Sequence, residues 1–285
     1  MQILIDSGGS KSDWMLRKND RWMPVIRLDG YNPWQHPNER LLEIIQNLLK
    51  TNPEAKHASQ IIYYGAGCAD EAKKAAIYST FISFFSQAKI SVYSDLMAAA
   101  HALFGDKAGI ACILGTGSSS GLYDGKQIMA TTPSLGYLLG DEGSGAYLGK
   151  TIAQNYFKNL MPKDLRQKFA DDYPLSLSAF LNSVYKQNSN AAYLANFAFF
   201  AAKNDNHWWV KKLVLDSFRE YIQYNIKYFT DYKQYSIGFI GAVAFQFQEI
   251  LREALNNEEL VAAKILKSPA EALMNYHGSI FRKKL

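Results

Sequence analysis

Cysteine is scarce in this chain, and its scarcity argues against two kinds of site. The 285 residues include only Cys68 and Cys112, which lie far apart and form no C-x-x-C pair. Neither a zinc site nor a disulfide framework follows from this pattern. Both cysteines stand among small and apolar residues, where a thiol usually serves as a small buried hydrophobe. We therefore expect two buried structural thiols.

Long apolar runs and concentrated charge are also missing. No stretch of about 18 apolar residues occurs, so the sequence predicts no membrane-spanning helix. The N-terminus lacks a basic region followed by an apolar stretch, so no secretory signal is expected. The net charge is only +5, and basic residues cluster tightly only at 211–212 and 282–284. This favours a solvated surface over nucleic-acid binding. We expect a cytoplasmic protein with no nucleic-acid or membrane partner.

What the chain does contain is an alternation of strands and helices. Its length suits two domains of ordinary size. Apolar runs at 2–6, 60–64 and 90–94 predict buried strands, and residues 14–18 and 22–28 predict a hairpin. A helix is predicted to begin near residue 38, another over 70–86 and a third at Asp95. This order predicts an α/β fold with a mixed sheet.

The pattern then restarts. Residues 109–114 predict a strand, followed by a glycine-rich turn and a hairpin that turns at 124–125. Residues 144–232 are mostly helical, and the helical spacing of their aromatic residues favours a packed core over base-stacking platforms. A strand at 236–240 and a last helix near 269–277 follow. We expect two lobes, one comprising 1–108 together with 269–285 and the other comprising 109–268 with a helical insertion.

The first glycine-rich turn is residues 6–11 (Asp-Ser-Gly-Gly-Ser-Lys). A phosphate chain needs several backbone N–H groups aimed at one point, and glycine permits that close approach. Asp6 is the candidate Mg²⁺ ligand, acting through water. The spacing is not that of a Walker A loop, and a plain tight turn stays the alternative. The candidate phosphate ligands of this turn are Gly8, Gly9, Ser10 and Lys11.

The second such turn is residues 115–121, in which every residue except Thr116 is Gly or Ser. Predicted strands flank it on both sides, which does not suit a linker. Backbone and hydroxyl donors converge there without bulk, so phosphate binding is favoured. The candidate ligands are Gly115, Thr116, Gly117 and Ser118.

Two more glycine-rich elements lie in the second half. Residues 136–145 set the adjacent carboxylates of Asp141 and Glu142 between glycines, and a helix N-cap at Asp141 or Ser144 is the alternative to a binding role. Residues 238–244 form a strand-to-helix turn without bulk at its bend. This turn suits either a flat adenosine group or a close helix crossing.

Asp95 ends a predicted strand and opens a helix. A simple N-cap is one interpretation of this position. The other is a catalytic base that orients a substrate hydroxyl and accepts its proton during phosphoryl transfer.

Together these motifs resemble N-acetylglucosamine kinases within the BadF/BadG/BcrA/BcrD ATPase group, over nearly the whole chain. The resemblance implies a duplicated ribonuclease H-like, actin-like ATPase fold, with ATP, Mg²⁺ and a small sugar bound between two lobes. It implies an ATP-dependent kinase that acts on N-acetylglucosamine or a related amino sugar, at the 6-hydroxyl, and leaves a homodimer open. By the same resemblance Asp95 is the base and Gly241 and Ala242 contact adenosine. The sugar residues are then Asn32, Thr116, Ser119 and Asp141.

This chain departs from the family pattern at two positions. Ser119 stands where the sugar kinases usually carry Asn, and Leu135 stands where they often carry Trp. Serine has a shorter reach and one fewer polar group, and leucine lacks an aromatic face for a pyranose or acetyl group. The transfer chemistry survives both changes, but the identity of the sugar stays open.

Two other functions stay open as well. One is an ATPase that activates a radical dehydratase, although Cys68 and Cys112 do not fall where its iron–sulfur cluster would need them. The other is a nucleotide-binding protein or degenerate kinase without turnover, which the losses at Ser119 and Leu135 would allow.

Overall fold

The computed structural model describes residues 1–186 and 190–282. The chain divides into two compact units, with unit 1 comprising Met1–Gly105 and Pro269–Leu285 and unit 2 comprising Asp106–Ser268. The domains predicted from the sequence were 1–108 with 269–285, and 109–268. The last residues of the predicted C-terminal segment and basic cluster, 283–285, lie outside the described residues.

Unit 1 contains a six-stranded mixed sheet. Its strands are β1 (Gln2–Ser7), β2 (Lys11–Lys18), β3 (Arg21–Trp22), β4 (Ile26–Asp29), β5 (Gln60–Gly65) and β6 (Lys89–Ser94). β1 pairs antiparallel with β2 and parallel with β5, which pairs parallel with β6. β3 and β4 both pair with β2. The short β3 and β4 share what the sequence predicted as one strand.

Three helices of unit 1 follow its strands: α1 (Asn38–Thr51), α2 (Glu71–Phe84) and α3 (Asp95–Phe104). α1 buries Leu41, Ile45 and Leu48, the positions whose spacing predicted it. The predicted burial of the strand at 90–94 is wrong. β6 is half-buried to exposed along its length, because it is the edge strand of the sheet.

Unit 2 contains a five-stranded sheet in the order β11-β10-β7-β8-β9. The strands are β7 (Gly109–Leu114), β8 (Ser118–Tyr123), β9 (Ile128–Thr131), β10 (Ile237–Ile240) and β11 (Ala262–Leu266). As in unit 1, the first strand pairs antiparallel with its hairpin partner and parallel with a strand that returns later in the chain. The sequence predicted four of these strands and missed β11, whose centre is polar and exposed.

The helices of unit 2 mostly lie between β9 and β10. They are α4 (Gly136–Leu139), α5 (Gly145–Phe157), α6 (Lys163–Asp172), α7 (Leu177–Lys186), α8 (Asn190–Ala195), α9 (Ala198–Lys203), α10 (Trp208–Tyr221), α11 (Ala242–Gln246) and α12 (Gln248–Asn256). A π-helical turn, Ile222–Ile226, extends α10. Phe197, Phe200, Phe218, Tyr221 and Phe229 are buried in the core, as predicted.

Some of the predicted core aromatics are not buried. The side chains at these positions are more than half exposed because they lie on the outer faces of the helical region, and they are Phe199, Trp208, Tyr224 and Tyr228. The aromatic-rich segment therefore supplies both a core and an aromatic surface.

The last helix, α13 (Ala270–Arg282), belongs to unit 1 and contacts α3. The Tyr64 hydroxyl joins them, since it lies 2.6 Å from His101 Nδ1 on α3 and 3.0 Å from His277 Nε2 on α13. Cys68 and Cys112 are buried free thiols, as expected. No helix within the described residues is long and apolar enough to cross a membrane.

Candidate functional site

In unit 1, the turn between β1 and β2 carries the first set of phosphate candidates. The Gly8 N–H donates to the Lys11 carbonyl oxygen at 2.9 Å, which closes the turn. Within the described residues, the N–H groups of Gly9 and Ser10 donate to no acceptor. Gly30 presses on the turn so closely that a Cβ there would lie 2.2 Å from the Gly8 carbonyl oxygen. The turn is therefore held by its neighbours and presents unused donors.

Asn32, a candidate sugar ligand, lies against this turn. A Cβ on Gly9 would lie 3.8 Å from the Asn32 Cβ. Asn32 Oδ1 accepts a hydrogen bond of 3.0 Å from the Trp34 N–H, and the Asn32 N–H donates to His36 Nδ1 at 3.1 Å. The side-chain amide nitrogen has no acceptor within the described residues, so it stays available to a hydroxyl. The structure thus brings a phosphate candidate and a sugar candidate together.

Trp34 follows Asn32 in the same loop, and the sequence reasoning missed it. Its side chain is 65% exposed, yet it is held in place. The indole N–H donates to the Gly67 carbonyl oxygen at 3.2 Å, and Lys73 Nζ lies 4.6 Å from the ring centroid. An ordered, solvent-facing indole beside a polar amide suits a sugar ring. An aromatic residue two positions after Asn32 was the signal that could have found it.

Unit 1 also gathers carboxylates. Asp6 on β1 is the register partner of Asp13 on β2. Burial raises the pKa of Asp6 to about 7. The charges of Asp13 and Asp95 add to this rise, and Lys11 opposes it. Asp13, which the sequence reasoning missed, pairs with Arg27 Nε at 3.4 Å and is otherwise without a hydrogen bond at Oδ1 within the described residues.

These oxygen donors fit Mg²⁺, which prefers carboxylates and retained water. Within the described residues, no group of three His, Cys, Asp or Glu side chains is placed to hold a metal ion. The role of Asp6 as a ligand that holds Mg²⁺ through water stays a prediction. The raised pKa of Asp6 also favours a site that gains from a nearby cation.

Asp95 is the first residue of α3 and is partly exposed. The N-cap is Ser94, whose hydroxyl accepts from the Met97 N–H at 3.3 Å, so the N-cap interpretation of Asp95 is wrong. Burial raises the pKa of Asp95 to about 6, opposed by hydrogen bonds from the backbone N–H groups of Leu96 and of Asp95 itself. A partly exposed carboxylate with this pKa can take a proton near neutral pH.

In unit 2, three glycine-containing segments interlock around the second set of phosphate candidates. The Gly145 N–H donates to the Gly115 carbonyl oxygen at 2.8 Å, and the Ala146 N–H donates to the Thr116 carbonyl oxygen at 3.0 Å. Gly241 has a φ of +133°, and a Cβ there would lie 2.1 Å from the Leu114 carbonyl oxygen. Only glycine fits at that point. The structure therefore joins a phosphate candidate to an adenosine candidate, with Ala242 opening α11 directly after it.

Asp141 lies against the same turn. Its Oδ1 accepts a hydrogen bond of 3.4 Å from the Ser118 N–H, and a Cβ on Gly117 would lie 2.9 Å from its Oδ2. Burial raises the pKa of Asp141, while the Ser118 hydrogen bond lowers it. The helix cap at this loop is Ser144, whose hydroxyl accepts from the Tyr147 N–H at 3.1 Å. Asp141 therefore does not cap α5.

Three other positions that the sequence analysis singled out lie in unit 2. Thr116 is exposed at the tip of the turn, and Ser119 is half-buried on β8. The Ser119 carbonyl oxygen accepts from the Tyr221 hydroxyl at 3.0 Å, so this residue is fixed through its backbone. Leu135, which precedes α4, is 59% exposed. No aromatic face stands at that position.

Comparison with solved structures decides the family. The "Putative N-acetylglucosamine Kinase" from Porphyromonas gingivalis shares 35% sequence identity with this chain, over 98% of this chain and 99% of that one, with a TM-score of 0.92. The chain belongs to the N-acetylglucosamine kinase-like family. This confirms the family that the motifs predicted, within the BadF/BadG/BcrA/BcrD ATPase group. No family model and no curated protein matches the chain.

More distant structures show the fold of this N-acetylglucosamine kinase-like chain. The "Putative N-acetylglucosamine Kinase" from Chromobacterium violaceum is 18% identical over 96% of this chain and 98% of that one, with a TM-score of 0.71. Component A of the (R)-2-hydroxyglutaryl-CoA dehydratase from Acidaminococcus fermentans is 12% identical over 97% and 95%, with a TM-score of 0.50. The fold is the actin-like ATPase fold that the resemblance implied.

Proposed function

We propose that this chain is an ATP-dependent kinase that phosphorylates an amino sugar, with N-acetylglucosamine as the leading substrate and the 6-hydroxyl as acceptor. One observation carries the proposal. In each unit a glycine-rich turn touches a side chain suited to a sugar hydroxyl: Gly9 lies against Asn32, and the Gly117–Ser118 turn lies against Asp141. The 35% identity to the Porphyromonas gingivalis protein supports the same class of reaction.

The phosphate chain of ATP is assigned to the two turns. In unit 1 the unused N–H groups of Gly9 and Ser10 and the ammonium of Lys11 donate to phosphate oxygens. In unit 2 the Gly115–Ser118 turn also donates hydrogen bonds to phosphate oxygens, and Gly241 and Ala242 lie beside adenosine. When bound, Mg²⁺ supplies positive charge that offsets the phosphate charge, and Asp6 holds its water shell.

Sugar binding is assigned to side chains next to those turns. The Asn32 amide nitrogen donates to one hydroxyl, and the Asp141 carboxylate accepts from another. The indole of Trp34 offers a flat apolar face to the ring. Thr116 and Ser119 contribute hydroxyl groups from unit 2.

Asp95 is assigned as the base. Its carboxylate orients the acceptor hydroxyl and takes its proton as the oxygen attacks the terminal phosphorus of ATP. A pKa of about 6 leaves Asp95 ionised at neutral pH but basic enough to accept that proton. Positioning and charge stabilisation supply most of the rate in reactions of this kind.

The test is ADP release measured with ATP and a panel of sugars. We expect N-acetylglucosamine to give the highest kcat/KM and Asp95→Asn to lower it about 100-fold or more, with nucleotide affinity nearly unchanged. The wild-type kcat/KM should fall as the pH drops below about 7, because Asp6 is then protonated, and fall further below about 6, where Asp95 is protonated too. Asp171→Asn, a change at an exposed carboxylate on α6, is the matched control.

Near-normal turnover by Asp95→Asn would show that Asp95 is not the base. Absence of turnover with every sugar in the panel would favour the nucleotide-binding alternative. The iron–sulfur activator alternative has no support in the described residues, since Cys68 and Cys112 are both buried.

A further inference from the structure

A groove of about 210 Å³, lined by both apolar and polar side-chain surface, lies between α5 and α10 of unit 2. It is smaller than the roughly 300 to 1,000 Å³ of pockets for drug-sized ligands, so it suits one small ring. None of the residues that line it belongs to the candidate site described above. The residues that matter for the argument are Tyr147, Thr151 and Asn155 on α5, and Trp209, Asp216 and Glu220 on α10.

The groove is not a packing defect between the two helices. α5 buries an apolar stripe that includes Leu148 and Ile152, and α10 buries one that includes Val210, Val214 and Phe218. Each helix therefore packs through one face. A second face, also at one-turn spacing, carries hydroxyl, amide and carboxylate groups toward the groove. Packing does not require that polar stripe.

The groups in the groove are held in place by neighbours. The Tyr147 hydroxyl donates to Glu220 Oε2, and Asn155 Nδ2 donates to the Thr151 carbonyl oxygen at 2.8 Å. This leaves Asn155 Oδ1 as an acceptor. The half-buried Trp209 has no acceptor for its indole N–H within the described residues. A flat aromatic face beside ordered donors and acceptors matches a ring that bears hydroxyl groups.

The charge in the groove narrows the ligand class. Asp216 pairs with both Lys212, at 2.5 Å, and Arg219, at 3.3 Å, while Glu220 accepts the Tyr147 hydroxyl, so the charges of these four ionisable side chains cancel. Because Asp216 already engages Lys212 and Arg219, neither is an unpaired cation for a phosphorylated or carboxylated sugar. An uncharged sugar needs no such cation.

We propose that this groove is a second binding site, specific for an uncharged monosaccharide. Its floor touches the loop of Asp141, since Ser217 Oγ accepts from the Gly143 N–H at 3.1 Å and Ser144 Oγ accepts from the Tyr147 N–H at 3.1 Å. The site goes beyond the proposed kinase reaction and does not depend on turnover.

The test uses the full chain labelled with 5-fluorotryptophan and ¹⁹F NMR, with the Trp209 signal assigned by Trp209→Phe. N-acetylglucosamine should shift that signal saturably, and its 6-phosphate should not. Asn155→Leu should raise the sugar concentration needed roughly tenfold, because it removes an acceptor. Thr151→Val is the second variant if Asn155→Leu does not fold, and Gln167→Leu on α6 is the control.

If N-acetylglucosamine does not shift the Trp209 signal, the groove is not a sugar-binding site. The same conclusion follows if Asp141→Asn abolishes the shift and Asn155→Leu leaves it unchanged, because the signal would then report binding at the candidate site. A Trp209 shift without ADP release in any sugar assay leaves the groove standing and contradicts the proposed kinase. ADP release with a silent Trp209 signal supports the kinase and contradicts the groove.

Discussion

The two units share one order of strand pairing but hold their glycine-rich turns by different means. In unit 1, Gly30 packs against the turn, and burial raises the pKa values of Asp6, which precedes the turn, and of Asp95, whose charge acts on Asp6. In unit 2 the turn is locked by backbone contacts from two other segments, and Asp141 is the carboxylate against it. The two turns therefore differ in their surroundings. Carboxylates with raised pKa values lie in unit 1, and backbone contacts make the turn of unit 2 a rigid cradle.

The rigidity of unit 2 is tested most sharply at Gly241. Gly241→Ala places a Cβ 2.1 Å from the Leu114 carbonyl oxygen at a φ of +133°. We expect it to lower the free energy of unfolding by roughly 3 to 5 kcal/mol, from backbone strain and overpacking together. Chemical denaturation measures this. Gly115→Ala is the control, because a Cβ there meets nothing within 4 Å. Equal losses in both variants would show that the cradle is not locked at Gly241.

The charge chemistry of unit 1 is tested at Asp6. Its pKa is about 7 in the folded chain and 3.8 as an ordinary carboxyl. Between those values the folded state keeps a proton that the unfolded state has released, so stability falls as the pH rises from about 4 to about 7. Without metal or nucleotide, Asp6→Asn should therefore raise the Tm at pH 8 by several degrees, and much less at pH 4.

The matched control for this experiment is Asp171→Asn in unit 2, whose carboxylate is exposed. The same Asp6→Asn variant should lose most kinase turnover, because it gains stability but removes the carboxylate proposed to hold the water shell of Mg²⁺. A Tm that drops at pH 8 would contradict the buried-charge account of Asp6.

The smallest expected effect separates two exposed tryptophans, one from each unit. Trp34 and Trp208 are each 65% exposed, but only Trp34 lies beside a sugar candidate. Trp34→Leu should raise the KM for the sugar about five- to tenfold with little change in kcat, as expected when uniform binding is lost. Trp208→Leu should leave both constants unchanged. Equal effects would remove Trp34 from the sugar site.

Most strands and all of the glycine-rich turns could be predicted because their signals are local. An apolar run that ends at glycine marks a strand and its turn wherever it occurs, as at residues 2–9 and 109–117. β11 was missed because Lys264 interrupts a short edge strand, which leaves no apolar run to recognise. Asp13 and Trp34 were missed for a different reason. Their interest comes from neighbours distant in sequence: Asp6 across the hairpin and Gly67 across the loop.

By itself, the sequence determined the family, the α/β class and the positions of the glycine-rich turns, since each depends on residue order and backbone propensity. Only the tertiary structure decided which turns touch which side chains. It placed Gly117 against Asp141, made Ser94 and Ser144 the N-caps of α3 and α5, and raised the pKa of Asp95 to about 6. Contact and burial depend on segments that are far apart in the chain, and no local pattern encodes them.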